Sequence, residues 1–176
     1  MLFMTLASMA VAAPQAVVSL PNRPVPALDL DRYAGQWHEI AHLPMFFQRQ
    51  CADNITATYG KNPDGTIYVR NACRRKDGAM DHSDGVARGV DGEPGALKVR
   101  FAPDWLAWIP WVWADYWVID LDPGYRWAVV GGPSRKYLWI LSRTPAMSRM
   151  RFSELLERAR QRGYPVDQLI MAGPLD

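Results

Sequence analysis

Cysteine and histidine are scarce in this chain. Of 176 residues two are cysteine, Cys51 and Cys73, and three are histidine. His38, His42, His82 and the cysteines have no spacing that would assemble a tetrahedral zinc site, so no metal is expected. Charge of one sign is also missing. Lys and Arg number 20 against 18 Asp and Glu, a formal charge of +2. That is too little to draw a nucleic acid, and no basic run stands out. The apolar stretch from Leu2 to Ala13 is shorter than the roughly 20 residues a bilayer requires.

What the chain has instead is aromatic surface: eight tryptophans and seven tyrosines. At this length it suits one domain with a sizeable core, and the aromatics suit a barrel with aromatic walls and pocket. Residues 1–13 are apolar and end in small residues, with Ala10-Val11-Ala12 as an alanine-x-alanine cleavage site. They are read as an export segment. It lacks a positive n-region, which leaves open a start further upstream. Residues 14–27 form a leader stiffened by Pro21, Pro24 and Pro26, and residues 28–176 the domain proper. In an exported chain two cysteines favour one disulfide, worth ~3 kcal/mol on the loop-entropy account, with two independent thiols as the alternative.

Beyond the leader come short strand-like runs near 36–42, 54–60, 66–73, 82–91, 96–101, 115–121, 126–131 and 137–142. Turn residues separate them, among them Asn62-Pro63-Asp64-Gly65, Gly92-Glu93-Pro94-Gly95 and Asp122-Pro123-Gly124. One helical run follows, capped by Ser148, with Phe152, Leu155, Leu156 and Ala159 on one face and ended by Gly163 and Pro165. The pattern predicts an all-β fold: an eight-stranded up-and-down antiparallel barrel with a C-terminal helix packed outside.

Three segments tie the ends of such a barrel together. Gly35-Gln36-Trp37-His38-Glu39-Ile40-Ala41 opens the first strand, Asp115-Tyr116 starts the sixth, and Tyr137-Leu138-Trp139-Ile140-Leu141-Ser142-Arg143 closes the last. A large indole can plug the narrow end of a small barrel, and a guanidinium can lie across its face as a lid. These segments resemble the three ordered signatures of the lipocalins, and within them the branch of bacterial lipocalins and apolipoprotein D. His38 stands where tyrosine is usual, and Ala114 replaces the usual threonine of the second signature. The resemblance spans roughly residues 28 to 172. It implies Gly35, Trp37 and Arg143 as a structural lid. Bacterial relatives are often lipoproteins, but no cysteine lies near the cleavage site, so a lipid anchor is not carried over.

Alternation assigns the pocket. Trp37 inward makes Glu39 and Ala41 inward; Arg143 facing Trp37 makes Leu141, Trp139 and Tyr137 inward. Leu97, Val99 and Phe101 share one face, and Tyr116 and Val118 another with Ala114 and Asp120. Tyr59 and Asn71 are placed inward by resemblance to ligand-contact positions of apolipoprotein D, where Trp139 also has a counterpart. The expected ligand-binding set is Glu39, Ala41, Tyr59, Asn71, Val99, Phe101, Tyr116, Val118 and Trp139. A carboxylate inside a barrel must be paired, hydrated or protonated. Glu39 is thus either satisfied by nearby hydroxyls and water or an orienting group for a ligand head.

The run from Trp105 to Trp113 holds Trp105, Trp108, Trp111 and Trp113, no charge, and a strand-breaking Pro110. In a lipocalin meander it joins strands five and six at the open mouth, beside a first loop bearing Met45, Phe46 and Phe47. Such an apolar rim marks a membrane contact, a doorway for ligand, or a contact between two copies of the chain. The alternative folds these residues into the cavity or into the two strands.

The resemblance implies a carrier rather than an enzyme: a protein of the bacterial envelope, periplasm or outer membrane, that binds and stores or transports fatty acids or lysophospholipids. Another small hydrophobic ligand, a bilin or haem-type tetrapyrrole, is the second reading; no inward histidine is expected to hold a haem. A lipocalin-type isomerase is the third, and it lacks a nucleophile–base pair, since His38 alternates outward and His42 and His82 have no evident partner. No cofactor is expected.

Overall fold

The computed structural model describes residues 19–176. The expected export segment, with Ala10-Val11-Ala12, and leader residues 14–18 lie outside the described residues. A single helical turn, α1 (Leu30–Tyr33), precedes β1 (Gly35–His42), β2 (Cys51–Lys61), β3 (Ile67–Arg75), β4 (Met80–Val90), β5 (Glu93–Arg100), β6 (Ala114–Leu121), β7 (Trp127–Gly131) and β8 (Trp139–Ser142). Then come helix α2 (Arg149–Gln161) and a two-residue strand, β9 (Ile170–Met171). Strands β2 to β8 pair in chain order, β8 pairs with β1, and β1 pairs with β2. The result is a closed eight-stranded antiparallel barrel, with β9 an extra strand on the edge of β1.

Two expected turns form as placed, at Asn62-Pro63-Asp64-Gly65 and Asp122-Pro123-Gly124; the third falls earlier, at Asp91-Gly92, and Glu93, Pro94 and Gly95 belong to β5. At Asn62-Pro63-Asp64-Gly65, Gly65 adopts φ 83°, the left-handed region that a side chain resists. The Asp64 carboxylate accepts from the Thr66 amide at 2.9 Å, and Asn62 N donates to Thr66 O at 2.9 Å. Ser148 caps α2 by accepting from Arg151 N at 3.3 Å. The helix buries Phe152, Leu155 and Ala159 against the outer wall of the barrel. Gly131 makes this docking close, because a Cβ there would sit 2.2 Å from the Tyr164 hydroxyl.

Two cores result. One lies outside the barrel, under α2, and includes Ile40, Ala41, Ile119, Val129 and Ile140. The other fills the closed end of the barrel and includes Tyr33, Trp37, Leu97, Val118, Ala128 and Val130. The leader covers this end: Val25 N donates to Val118 O at 2.8 Å, and Val25, Leu28 and Leu30 pack on the inner core.

Register shifts occur in several strand pairs, and those in β1 and β6 break the inward–outward alternation beneath the helix. In β1 the register steps from Glu39–Leu141 to Ala41–Ile140. In β6 it steps from Val118–Val130 to Asp120–Val129. A bulge inserts one residue and shifts the phase of all that follow. Ala41 therefore faces outward under α2 and is no part of the pocket, contrary to strict alternation from Trp37. Asp120 likewise leaves the face of Tyr116 and meets Arg158 and Arg162 of the helix region at 2.9 and 3.3 Å. Both bulges lie beneath α2, where each turns an extra residue toward the helix.

The closed end is locked by Arg143. Its guanidinium carbon lies 3.9 Å from the Trp37 ring centroid. Its nitrogens donate to Gln36 O at 2.9 Å, Arg32 O at 2.7 Å, Tyr33 O at 3.2 Å, Ala34 O at 2.9 Å and Tyr125 O at 3.3 Å. Trp37 Nε1 in turn donates to Tyr33 O at 2.8 Å. One side chain thus satisfies carbonyls of the turn into β1 and of the β6–β7 turn. Arg143→Ala strands those acceptors and removes the cation–π contact, a loss on the order of 3 kcal/mol. The melting temperature is expected to fall by roughly 5–10 °C, with lipid affinity almost unchanged. Unchanged stability in a thermal melt, or loss of binding without loss of stability, contradicts this role.

Candidate functional site

Inside the barrel, above the closed-end core, lies a cavity of about 440 Å³. That volume falls in the range of small-ligand sites, about 300–1,000 Å³. Its wall is largely apolar: Ile55, Ala57, Val69, Val99, Val130 and Leu141 line it, with the indole of Trp139. Among the residues expected to bind ligand, Glu39, Tyr59, Asn71, Val99, Phe101, Tyr116 and Trp139 all line this space. Two do not. Ala41 is outside for the reason given above. Val118 points inward but is fully buried in the core beneath the cavity floor, because the barrel narrows there and side chains fill it.

The deep end is polar. Tyr116 OH lies 2.7 Å from Tyr33 OH and 2.8 Å from Tyr59 OH, so three hydroxyls form a chain with Tyr116 at its centre. Tyr33 comes from α1, Tyr59 from β2 and Tyr116 from β6. Burial raises the pKa of all three phenols, which keeps them as neutral hydroxyls. Tyr33 escaped the alternation argument because it precedes β1. Its only signal was its place four residues before Trp37, whose indole it packs against at 5.0 Å.

Glu39 sits beside this chain on β1, 6% exposed. Gln48, in a short 3-10 turn of the loop after β1, donates from Nε2 to Glu39 Oε2 at 2.9 Å. Glu39 Oε1 has no hydrogen-bond partner. Burial lifts the carboxyl pKa to about 7, against the lowering effect of the Gln48 bond. The bulge at Ile40 also brings His42 round to the side of Glu39, with Nε2 3.7 Å from Oε1. His42 thus has a partner but does not line the cavity; His82, on β4, does, which corrects the expectation that no histidine turns inward. His42 Nδ1 donates to Leu43 O at 2.8 Å, and burial lowers the histidine pKa. Both partners are thereby pushed toward their neutral forms. Among the described residues no lysine or arginine lines the cavity, which carries three carboxylic acids, Glu39, Asp81 and Asp115, the last paired with Lys98, and one histidine, His82.

The mouth is aromatic. Phe46 meets Phe47 edge-on at 5.3 Å, Phe47 reaches Tyr137 at 6.0 Å, and Tyr137 stacks on Trp139 at 6.0 Å. A file of rings thus runs from the exposed first loop to the cavity wall. The disulfide Cys51–Cys73, with Cα atoms 5.6 Å apart, ties the start of β2 to β3 at this rim. Opposite, Trp105, Trp108 and Trp111 stand 73%, 77% and 83% exposed and line no part of the cavity. Trp113 differs from the other rim tryptophans. It is half-buried on the outer wall, with the Arg88 and Arg100 guanidiniums 4.2 and 5.1 Å from its ring, and Nε1 donates to Ala107 O at 2.8 Å. It anchors the loop rather than presenting an apolar rim. Arg100 adds a bond to Asp104 at 2.6 Å.

A closed antiparallel barrel with one open-ended internal cavity and an outer helix defines a small-ligand carrier fold. A family model described as a lipocalin-like domain matches residues 28–174. Temperature-induced lipocalin-1 of Arabidopsis thaliana is 43% identical over 148 residues, 82% of this chain and 78% of that protein. Outer membrane lipoprotein Blc of Escherichia coli K12 is 37% identical over 171 residues, 96% of this chain and 89% of that protein. The chain belongs to the lipocalin family. Among solved structures, insecticyanin from the tobacco hornworm Manduca sexta superposes with a TM-score of 0.65 at 20% identity, covering 90% of each chain; this similarity speaks to the fold alone.

The raised pKa of Glu39 has a consequence for stability. Its folded value of about 7 exceeds the ordinary 4.5, so the folded state holds the proton longer than the unfolded one. The contribution is complete below pH 4.5 and is lost as pH rises through 7, a change of about 3 kcal/mol. His42, Gln48 and Tyr59 are the groups that face it. Glu39→Gln cannot ionise, so its stability relative to the native protein should improve steadily between pH 5 and pH 8 in denaturant titrations. A pH-independent difference between the two proteins contradicts a buried, proton-holding carboxyl.

Proposed function

We propose that this lipocalin binds and carries single-chain lipids, of the fatty-acid and lysophospholipid kind, in its barrel cavity. The observation that carries the reading is the mostly apolar cavity of about 440 Å³, open at the mouth and hydroxylated at its deep end. An aliphatic chain matches its wall of Val69, Val99, Val130 and Leu141. Among the described residues no nucleophile–base pair within bonding distance lines it, and the protein is read as a carrier rather than a catalyst.

The three exposed indoles at the mouth support a second element of the proposal: Trp105, Trp108 and Trp111 dip into a membrane interface and bring the mouth to its lipid supply. Tryptophan favours that interface, and burying one such side chain contributes roughly 1.5–3 kcal/mol. Two or three suffice for transient attachment. The relatives named as outer membrane lipoproteins support a place in a bacterial envelope. A contact between two copies through the same loop is the competing use of this surface.

Two variants separate cavity from rim. Trp139→Ala should weaken binding of an acyl chain about tenfold, since an indole lost from the wall forfeits 1–2 kcal/mol or more of contact. Trp108→Ser with Trp111→Ser should reduce vesicle sedimentation and slow lipid uptake while leaving equilibrium affinity for a soluble fatty acid nearly unchanged. Unaltered affinity in the first variant places the ligand elsewhere. Unaltered sedimentation in the second removes the membrane role, and a shift from dimer to monomer assigns the loop to a subunit contact.

A further inference from the structure

We infer that the deep end of the cavity selects for charge: it receives the uncharged, hydroxyl-bearing end of a single-chain lipid on Tyr59 and Tyr116, and refuses a carboxylate. The inference rests on the lipid-carrier reading above and narrows it.

The argument begins with a count of hydrogens. Each phenol donates once and can accept twice. The chain Tyr33–Tyr116–Tyr59 contains two hydrogen bonds, so one of its three donors is left over. Tyr33 is 1% exposed, and its hydroxyl has Tyr116 as its partner. Were Tyr33 to accept only, its own hydrogen would be buried unpaired, at a cost that native interiors avoid. Tyr33 therefore donates to Tyr116. The spare donor then belongs to Tyr59 or Tyr116, and both line the cavity. The floor offers a ligand one hydrogen to accept and several oxygens to donate to. A hydroxyl, which does both, is the group that matches.

A carboxylate would also accept that hydrogen, but its charge has no answer here. Among the described residues neither lysine nor arginine lines the cavity, and the carboxyl on the deep wall is Glu39, itself an acid. An ion taken into an apolar site without a counter-charge is strongly disfavoured. Ionised Glu39 would add like-charge repulsion. An anionic lipid is thus confined to a tail-first pose with its head at the mouth, where Asp81 stands beside His82 and Asp115 is already paired with Lys98. An uncharged lipid can enter head-first, lay its tail along Val99, Val130 and Leu141, and end among the rings of Phe47 and Tyr137.

The test compares dodecanol with dodecanoate at pH 8 on the native protein, by displacement of a fluorescent fatty-acid analogue. Dodecanol should bind more than about tenfold tighter, the mark of an uncompensated buried charge. Tyr116→Phe should cut the alcohol's affinity roughly fivefold, in line with one lost hydrogen bond, and narrow the gap between the ligands. Glu39→Gln should narrow it from the other side, by raising the affinity of the carboxylate. Equal affinities for the two ligands on the native protein overturn the inference and leave the carrier reading standing. Binding of neither chain overturns both. Because the decisive comparison uses the native protein, a variant that fails to fold does not remove the test.

Discussion

A barrel with one open end needs the other end shut, and here that task falls to the guanidinium of Arg143 lying on Trp37. The residues it joins come from opposite ends of the barrel sequence, β1 and the segment after β8, which adjoin only because the sheet closes. Its donors satisfy carbonyls of α1, of Ala34 and of Gln36 at the start of β1. With that end closed, Tyr33 is held in the floor, and the tyrosine chain that sets the polarity of the cavity has its buried anchor. Closure, core and floor chemistry thus depend on one cation and one indole.

Much of this was legible in the chain. Turn residues such as Asn62-Pro63-Asp64-Gly65 mark where strands end, and strand runs between them differ from the observed bounds mainly at their ends. Trp37 and Arg143 could be paired from sequence because a bulky plug and a planar cation have a clear physical use at a narrow barrel end. Glu39, Val99, Phe101 and Trp139 followed from alternation, and Tyr59 and Asn71 from resemblance to the family.

What was not legible has one main cause. Bulges at Ile40 and Ile119 shift the phase of β1 and β6, and a period-two argument has no means of seeing an inserted residue. Ala41, Asp120 and His42 were misplaced together for this reason. Each bulge lies where α2 needs a surface to grip, so the helix and the bulges belong to one packing problem that local sequence does not display. Val118 was lost to a different effect, the tapering of the barrel: facing inward is not the same as lining a cavity. Trp113 was grouped with its neighbours by composition, while Arg88 and Arg100, distant in sequence, draw it onto the outer wall.

The cavity couples these features to the proposed carrier role. Its wall is apolar, its floor is hydroxylated with Glu39 beside it, and its mouth is ringed by aromatics, a gradient suited to an amphiphile that enters from an apolar surface. The most direct measurement is isotope-filtered NMR of the protein with carbon-13-labelled dodecanol. The account predicts contacts from the chain to Val99, Val130, Leu141 and Trp139, with the hydroxyl-bearing carbon nearest Tyr59 and Tyr116. Contacts confined to the loop from Trp105 to Trp113, with none to the barrel interior, would contradict it.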